Sequence, residues 1–159
     1  MNGNEESAKA ILSQVVYITL ATVSPDGRPW NTPVYAAFDE AYHFFWVSAR
    51  EAQHSQNIRA NHRVAIVVYD STVPPGTGKG VYIQATASEL TDGREIARAL
   101  LALQRRGWES PPPMLEMVET SLSPRRVYQA IPERMWISSV ERTNGYAVDA
   151  RTEIEIFGT

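Results

Sequence analysis

Cysteine is absent from this 159-residue sequence. Disulfides, thiolate zinc sites, iron–sulfur clusters and a cysteine nucleophile are excluded together. Histidine is nearly as scarce, with only His43, His54 and His62. No two of them have the close spacing of a helical zinc motif, and no thiol can complete a site, so no metal centre is expected. No apolar run is long enough to span a bilayer; Val64 to Tyr69 is among the longest. Basic excess is missing too. Lys and Arg total 15 against 18 Asp and Glu, a net charge of −3. A dedicated nucleic-acid binder should be basic, so nucleic acid is not an expected partner. No Gly-x-Ser-x-Gly occurs, and the serines fall in turns and caps, so a hydrolase triad has no support. Met1 to Lys9 is polar with two glutamates, unlike a signal or transit peptide, so a cytoplasmic protein is expected.

What is present suits one globular domain over residues 1–159. The apolar share is 43%, and a chain of this length buries a core without staples. No repeat or low-complexity tract interrupts it. Residues 5–14 suit a short helix. Val15 to Val23 reads as a strand that is apolar on both faces. Ser24-Pro25-Asp26-Gly27 suits a type I hairpin turn with a bulge, and Trp30 to Phe38 is the return strand. Pro33 lies inside that strand without an N–H to give, which places it on an edge or at a bulge. Asp39 to Ala41 turns again into a strand over His43 to Val47.

Ser48-Ala49-Arg50-Glu51 has the pattern of a capping box, so a helix is expected from about residue 49 to 60. Arg63 to Tyr69 and Val81 to Leu90 read as strands, joined by a Pro/Gly-rich loop. Asp92-Gly93-Arg94-Glu95 is a second capping box, before a helix with Ile96, Leu100 and Leu103 on one stripe and Gly107 as its stop. A helical insertion is expected over about 92–126, with a short second helix near Met114 to Val118. Val127 to Ala130, Arg134 to Val140 and Arg151 to Phe157 are the last strands, with Asn144-Gly145 as a hairpin turn. The sum is about seven strands and four helices, mainly β with helices (α+β). Hairpins dominate and βαβ alternation is missing, so the sheet is antiparallel. Closure into a small barrel covers one face of the doubly apolar strands. Packed helices or a dimer contact cover the other.

Three features are candidates for chemistry. The loop from Pro74 to Gly80 has the wrong glycine spacing for a nucleotide phosphate loop and joins two strands, which leaves a flap with one cation, Lys79. Ser48, Arg50, Gln53, His54 and Ser55 gather at one helix start, where free N–H groups and the dipole attract anions. The plain alternative is an ordinary cap with a solvated face. Trp30, Trp46, Trp108 and Trp136 suit packing, and also suit a flat ring ligand.

The ordered set of segments resembles the pyridoxamine 5′-phosphate oxidase-like FMN-binding split-barrel family. It consists of Tyr17-Ile18-Thr19-Leu20-Ala21-Thr22-Val23, Asp26-Gly27-Arg28-Pro29, Thr32-Pro33-Val34, Phe45-Trp46-Val47-Ser48, and Asn57 to Ala65. Residues 10–90 carry the likeness well and the C-terminal strands more loosely. His62 stands where the family pattern has a proline.

The resemblance implies an antiparallel split β-barrel and a homodimer with a flavin at each subunit interface. The ring would lie along Asn31, Thr32, Pro33 and Val34, where an irregular strand leaves backbone groups free to bond it. The ribityl phosphate would lie at Val47, Ser48 and the helix start beyond. Family members commonly carry a basic pair there, but alignment on Asn57-Ile58 places Gln53 and His54 at those positions, followed by Ser55. A phosphate dianion would favour protonated His54, so affinity is expected to weaken at high pH. Lys79 would approach the pyrimidine end of the ring, and Trp136 would arrive from the partner subunit. The arginine-rich C-terminal segment of true pyridoxamine phosphate oxidases is missing from Arg151 to Phe157, so vitamin B6 activity is not expected.

The expected function is therefore an FMN-binding, flavin-dependent oxidoreductase acting on a small molecule. It would pass electrons between reduced nicotinamide or oxygen and that molecule, and no catalytic acid or base is assigned. The rivals are an F420-dependent reductase, a flavin- or haem-binding carrier or sensor without turnover, and a cofactor-free interaction dimer. The acidic net charge disfavours the long acidic tail of F420.

Overall fold

The computed structural model describes residues 3–109, 111–113 and 123–155. Eight strands and three helices occur among them: α1 (Gly3–Gln14), β1 (Tyr17–Val23), β2 (Pro29–Tyr35), β3 (Ala37–Phe38), β4 (Phe44–Ala49), α2 (Gln53–Ala60), β5 (Arg63–Tyr69), β6 (Gly80–Glu89), α3 (Gly93–Arg105), β7 (Arg125–Thr143) and β8 (Tyr146–Glu153). Every pairing is antiparallel. The strand order is β2-β1-β5-β6-β7-β4-β3, with β8 on the outside of β7. The first and last strands of that path are separated in the chain only by Ala36, whose N–H bonds the Val16 carbonyl at 3.0 Å. The sheet therefore curls until its two ends meet, which makes an antiparallel split barrel.

Closure explains why β4 is apolar on both faces. Phe44 and Trp46 face the barrel interior with Leu20, Ile66, Ile83 and Tyr128. Phe45, between them, faces outward against Ile96, Ala99 and Leu103 of α3. The stripe on α3 thus supplies the second cover, worth about 1.5–3 kcal/mol for each large side chain fully buried. Asp92 starts that helix by accepting from the N–H groups of Arg94 and Glu95. Gly107, at φ +107°, ends it in a conformation that glycine adopts without strain. On the interior side, α1 adds Ala8 and Leu12 to the core, and α2 adds Ile58.

Turn chemistry follows the sequence closely. The Gly27 N–H bonds Ser24 O at 2.9 Å with Gly27 at φ +83°, and Asn144-Gly145 has positive φ at both positions. Pro33 lies opposite Thr19 on β2, at an end of the strand order, so its missing N–H costs the ladder little.

Several expectations need correction. Ser48 is not a helix cap: Ser48 and Ala49 continue β4, and α2 begins at Gln53 behind Ala52, which makes no side-chain capping bond. Ladder pairing of Ser48 with Arg126 outcompetes the local box. The two late strands are one, Arg125–Thr143. Ile131-Pro132-Glu133 reads as a break, yet the chain passes it with a bulge where Ala85 pairs Pro132 and Gln84 pairs Arg134. The return strand splits at Ala36 into β2 and β3. The last strand begins at Tyr146 rather than Arg151 and ends at Glu153, because the Asn144-Gly145 hairpin pairs at once. The expected helix near Met114 to Val118 lies outside the described residues.

Candidate functional site

The predicted phosphate residues come together where β4 passes into α2. Val47 and Ser48 lie in the last half of β4, and Gln53, His54 and Ser55 form the first turn of α2. Ala52 gives that turn its carbonyl, which accepts from the Gln56 N–H at 3.0 Å, but no side-chain oxygen, so the leading N–H groups have no side-chain cap. Two arginines flank it. Arg59 donates to the Arg50 carbonyl at 2.7 Å, and Arg50 Nε stands 4.0 Å from Glu89. Glu89 also receives the buried Arg126 at 3.3 Å.

Of the side chains in this turn, Gln53 and His54 are already engaged within the protein, whereas the buried Ser55 Oγ has no hydrogen-bond partner among the described residues. His54 is 7% exposed, and its Nε2 shares a 2.8 Å hydrogen bond with Ser48 Oγ. Burial lowers the His54 pKa from its ordinary value. A neutral imidazole is therefore favoured, so the positive charge at this helix start comes from Arg50 and Arg59, partly offset by Glu89 at 4.0 Å from Arg50 and Glu51 at 3.9 Å from Arg59. Gln53 Nε2 donates to Asn57 Oδ1 at 2.9 Å, and Asn57 Nδ2 donates to Thr22 Oγ1 at 2.9 Å. Thr22 leans on the Trp30 carbonyl at 3.5 Å. Asn57 and Thr22 are both buried. This polar chain links the start of α2 to β1 and the beginning of β2. Sequence reasoning quoted Asn57 only as part of a pattern and did not assign this link.

From Trp30 the edge strand runs through Asn31, Thr32, Pro33 and Val34. Asn31 and Pro33 are exposed, Thr32 is half-buried and Val34 is buried. Pro33 lines a cavity of about 410 Å³ with Thr19, Tyr69 and Asp70. Lys79 does not line it. Lys79 lies in a neighbouring cavity of about 800 Å³ that shares Tyr69 and Asp70 with the first. Trp136 pairs Tyr82 and lines a third space with Val67 and Arg151, one strand further on. Within one chain the structure thus unites the helix start with β2 and sets Lys79 and Trp136 on the adjoining outer sheet face. Sequence reading missed Arg151, Ser138 and Gly80 on that face. For Ser138 and Arg151 the available signal was the Asn144-Gly145 hairpin, which sets their mutual register; nothing local placed Gly80 beside them.

Among the described residues, no group of three or more His, Cys, Asp or Glu side chains is placed to hold a metal, and no helix is long and apolar enough to cross a membrane.

The sequence matches the profile described as pyridoxamine 5′-phosphate oxidase over residues 5–139. No curated protein matches the chain significantly. Solved structures with similar folds differ in what their names say they bind. An F420 reductase aligns at a TM-score of 0.60 and 23% identity, covering 85% of this chain and 97% of its own. The haem storage protein HutZ of Vibrio cholerae aligns at 0.65 and 20% identity, covering 80% and 89%. An FAD-binding protein of Mesorhizobium loti aligns at 0.61 and 22% identity, covering 86% and 94%. At these identities the likeness establishes the fold, and the choice of cofactor falls to the residues of the site.

Proposed function

Since the chain belongs to the pyridoxamine 5′-phosphate oxidase family, we propose that it is a flavin-dependent oxidoreductase that binds FMN non-covalently and works as a homodimer. The observation that carries this reading is the hydrogen-bonded chain Gln53–Asn57–Thr22, buried at Asn57 and Thr22, which fixes an uncapped helix start against the exposed edge strand β2. A ribityl phosphate needs several donors, and a flat ring needs an accessible backbone edge. The donor set fits FMN. The first-turn N–H groups of α2, with Arg50 and Arg59 beside them, suit a phosphate, and the backbone of Asn31 to Val34 suits the ring edge. Val47 and Ser48 would border the ribityl chain, and Trp136 would come from the partner subunit. When bound, the flavin supplies reversible electron transfer, while the protein supplies position and field.

His54 acts in this reading by holding Ser48 in place rather than by donating charge. Phosphate affinity should therefore change little between neutral and alkaline pH. A clear loss of FMN affinity across that interval would instead return the charge to His54. His54→Ala should weaken FMN binding through Ser48; unchanged affinity would remove both residues from the site.

The test of turnover is anaerobic addition of NADH or NADPH to the FMN-loaded protein. Bleaching of the flavin band supports an oxidoreductase. A retained flavin that neither nucleotide bleaches supports a carrier or sensor. The F420 reading rests on the same groove, and the single helix start with two arginines gives a long acidic tail few partners.

A further inference from the structure

The outer face of the sheet carries a second arrangement that the flavin reading leaves unused. Ser138 on β7 lies directly opposite Arg151 on β8. Tyr69 on β5 lies opposite Gly80 on β6, whose N–H donates to Ser138 Oγ at 2.9 Å. Arg151, Ser138, Gly80 and Tyr69 therefore form one row across four strands, on one face. Gly80 contributes no side chain to it, and a Cβ there would meet the Tyr82 ring at 3.5 Å. A hollow of about 800 Å³ lies over this row, with Lys79 at its rim.

Two cations enter this hollow. The Arg151 guanidinium lies 4.2 Å over the Tyr82 ring, which fixes its plane and leaves its edge donors free. Neither the Arg151 nor the Lys79 side chain has an ion pair or hydrogen bond among the described residues. Ser138 Oγ accepts from Gly80 and keeps its own proton to give. Two carboxylates also line the space. Asp70 is turned back on its own loop, accepting from the Thr72 N–H at 2.8 Å and its hydroxyl at 2.6 Å. Asp149 is not, and it offsets part of the positive charge.

We propose that this hollow is an oxyanion subsite: Arg151, Lys79 and Ser138 receive the phosphate or carboxylate group of the molecule that exchanges electrons with the flavin. Anion binding itself stands on the geometry above. Its link to electron transfer rests on the flavin reading, through the wall of Tyr69 and Asp70 shared with the cavity at Pro33.

The experiment is isothermal titration of the full chain, with FMN and without, using inorganic phosphate and succinate as probes. Saturable binding of either probe is expected. A preference for phosphate points to a phosphorylated reaction partner, and a preference for succinate to a carboxylic acid. Arg151→Ala and Lys79→Ala should each weaken it about tenfold, the scale of one charge-assisted hydrogen bond. Asp149→Asn should tighten it, which a merely damaged fold would not do. FMN affinity should stay unchanged in Arg151→Ala and Asp149→Asn. Absence of saturable binding, or equal binding by the two cation variants, overturns the subsite. A parallel loss of FMN affinity assigns the cations to the flavin and overturns it as well. If the anion binds but FMN does not, the flavin reading fails and the subsite stands.

Discussion

The start of α2 and the hollow beside Gly80 both gather polar side chains, yet they are built in opposite ways. At α2 almost every side chain is spent inside the protein: His54 on Ser48, Gln53 on Asn57, Asn57 on Thr22. What remains for a ligand there is backbone N–H and the flanking arginines. At the hollow, Arg151 and Lys79 are spent on nothing polar among the described residues. The first region is rigid because its side chains satisfy each other, and it suits a cofactor held in one pose. The second keeps its charges available and suits a molecule that comes and goes.

The sharpest way to break this contrast is to cut the tie at α2. Asn57→Leu takes the donor from buried Thr22, which keeps only its long bond to the Trp30 carbonyl, and the acceptor from exposed Gln53, which should cost about 1–2 kcal/mol. Urea unfolding would measure that loss, and FMN retention should fall with it. Retained FMN on an equally stable protein would mean that the link does not position the site. Next in size is the charge effect at the hollow. The Lys79→Ala, Arg151→Ala pair should change stability by no more than about 1 kcal/mol, the scale of the exposed contact of Arg151 over the Tyr82 ring. A larger loss would show that these cations hold the fold together.

A smaller effect separates the regions by pH. Burial lowers the His54 pKa, so the unfolded chain takes up this proton at a higher pH than the folded chain does. The stability it contributes is complete above about pH 6.5 and is lost as pH falls toward the folded-state value. His54→Gln should flatten that part of the stability profile, and a slope unchanged by the substitution would assign it to other groups. Smallest of all is Pro33→Ala. On an edge strand the change restores an N–H that no neighbouring strand requires, and unfolding should shift by no more than about 0.5 kcal/mol.

Much of the fold was readable because local signals agreed with the tertiary outcome. Ser24 to Gly27, Asn144-Gly145 and the apolar stripe of α3 each depend on a few adjacent residues. Doubly apolar strands called for cover on both faces, and at Phe44-Phe45-Trp46 the barrel and α3 supply the two covers. Ser48 misled because a capping box is local whereas the pairing of Ser48 with Arg126 spans about half of the chain. Pro132 misled in the same way: a proline ends a strand in isolation, but here a bulge absorbs it.

The site was readable in part for the same reason. The residues from Val47 to Ser55 are near in sequence and were found together. What they do with their hydrogen bonds was not readable, since Asn57 reaches Thr22 across 35 positions. The row through Arg151, Ser138, Gly80 and Tyr69 was invisible, because it exists only in the register of four strands.

The most direct measurement is the visible spectrum of the purified protein after gel filtration, following incubation with FMN, F420 or haem in separate samples. A flavin band that travels with the protein from the FMN sample, and little colour from the other two, is the predicted result. A colourless protein from the FMN sample, with F420 or haem retained instead, would contradict the assignment of the α2 helix start and β2 to FMN.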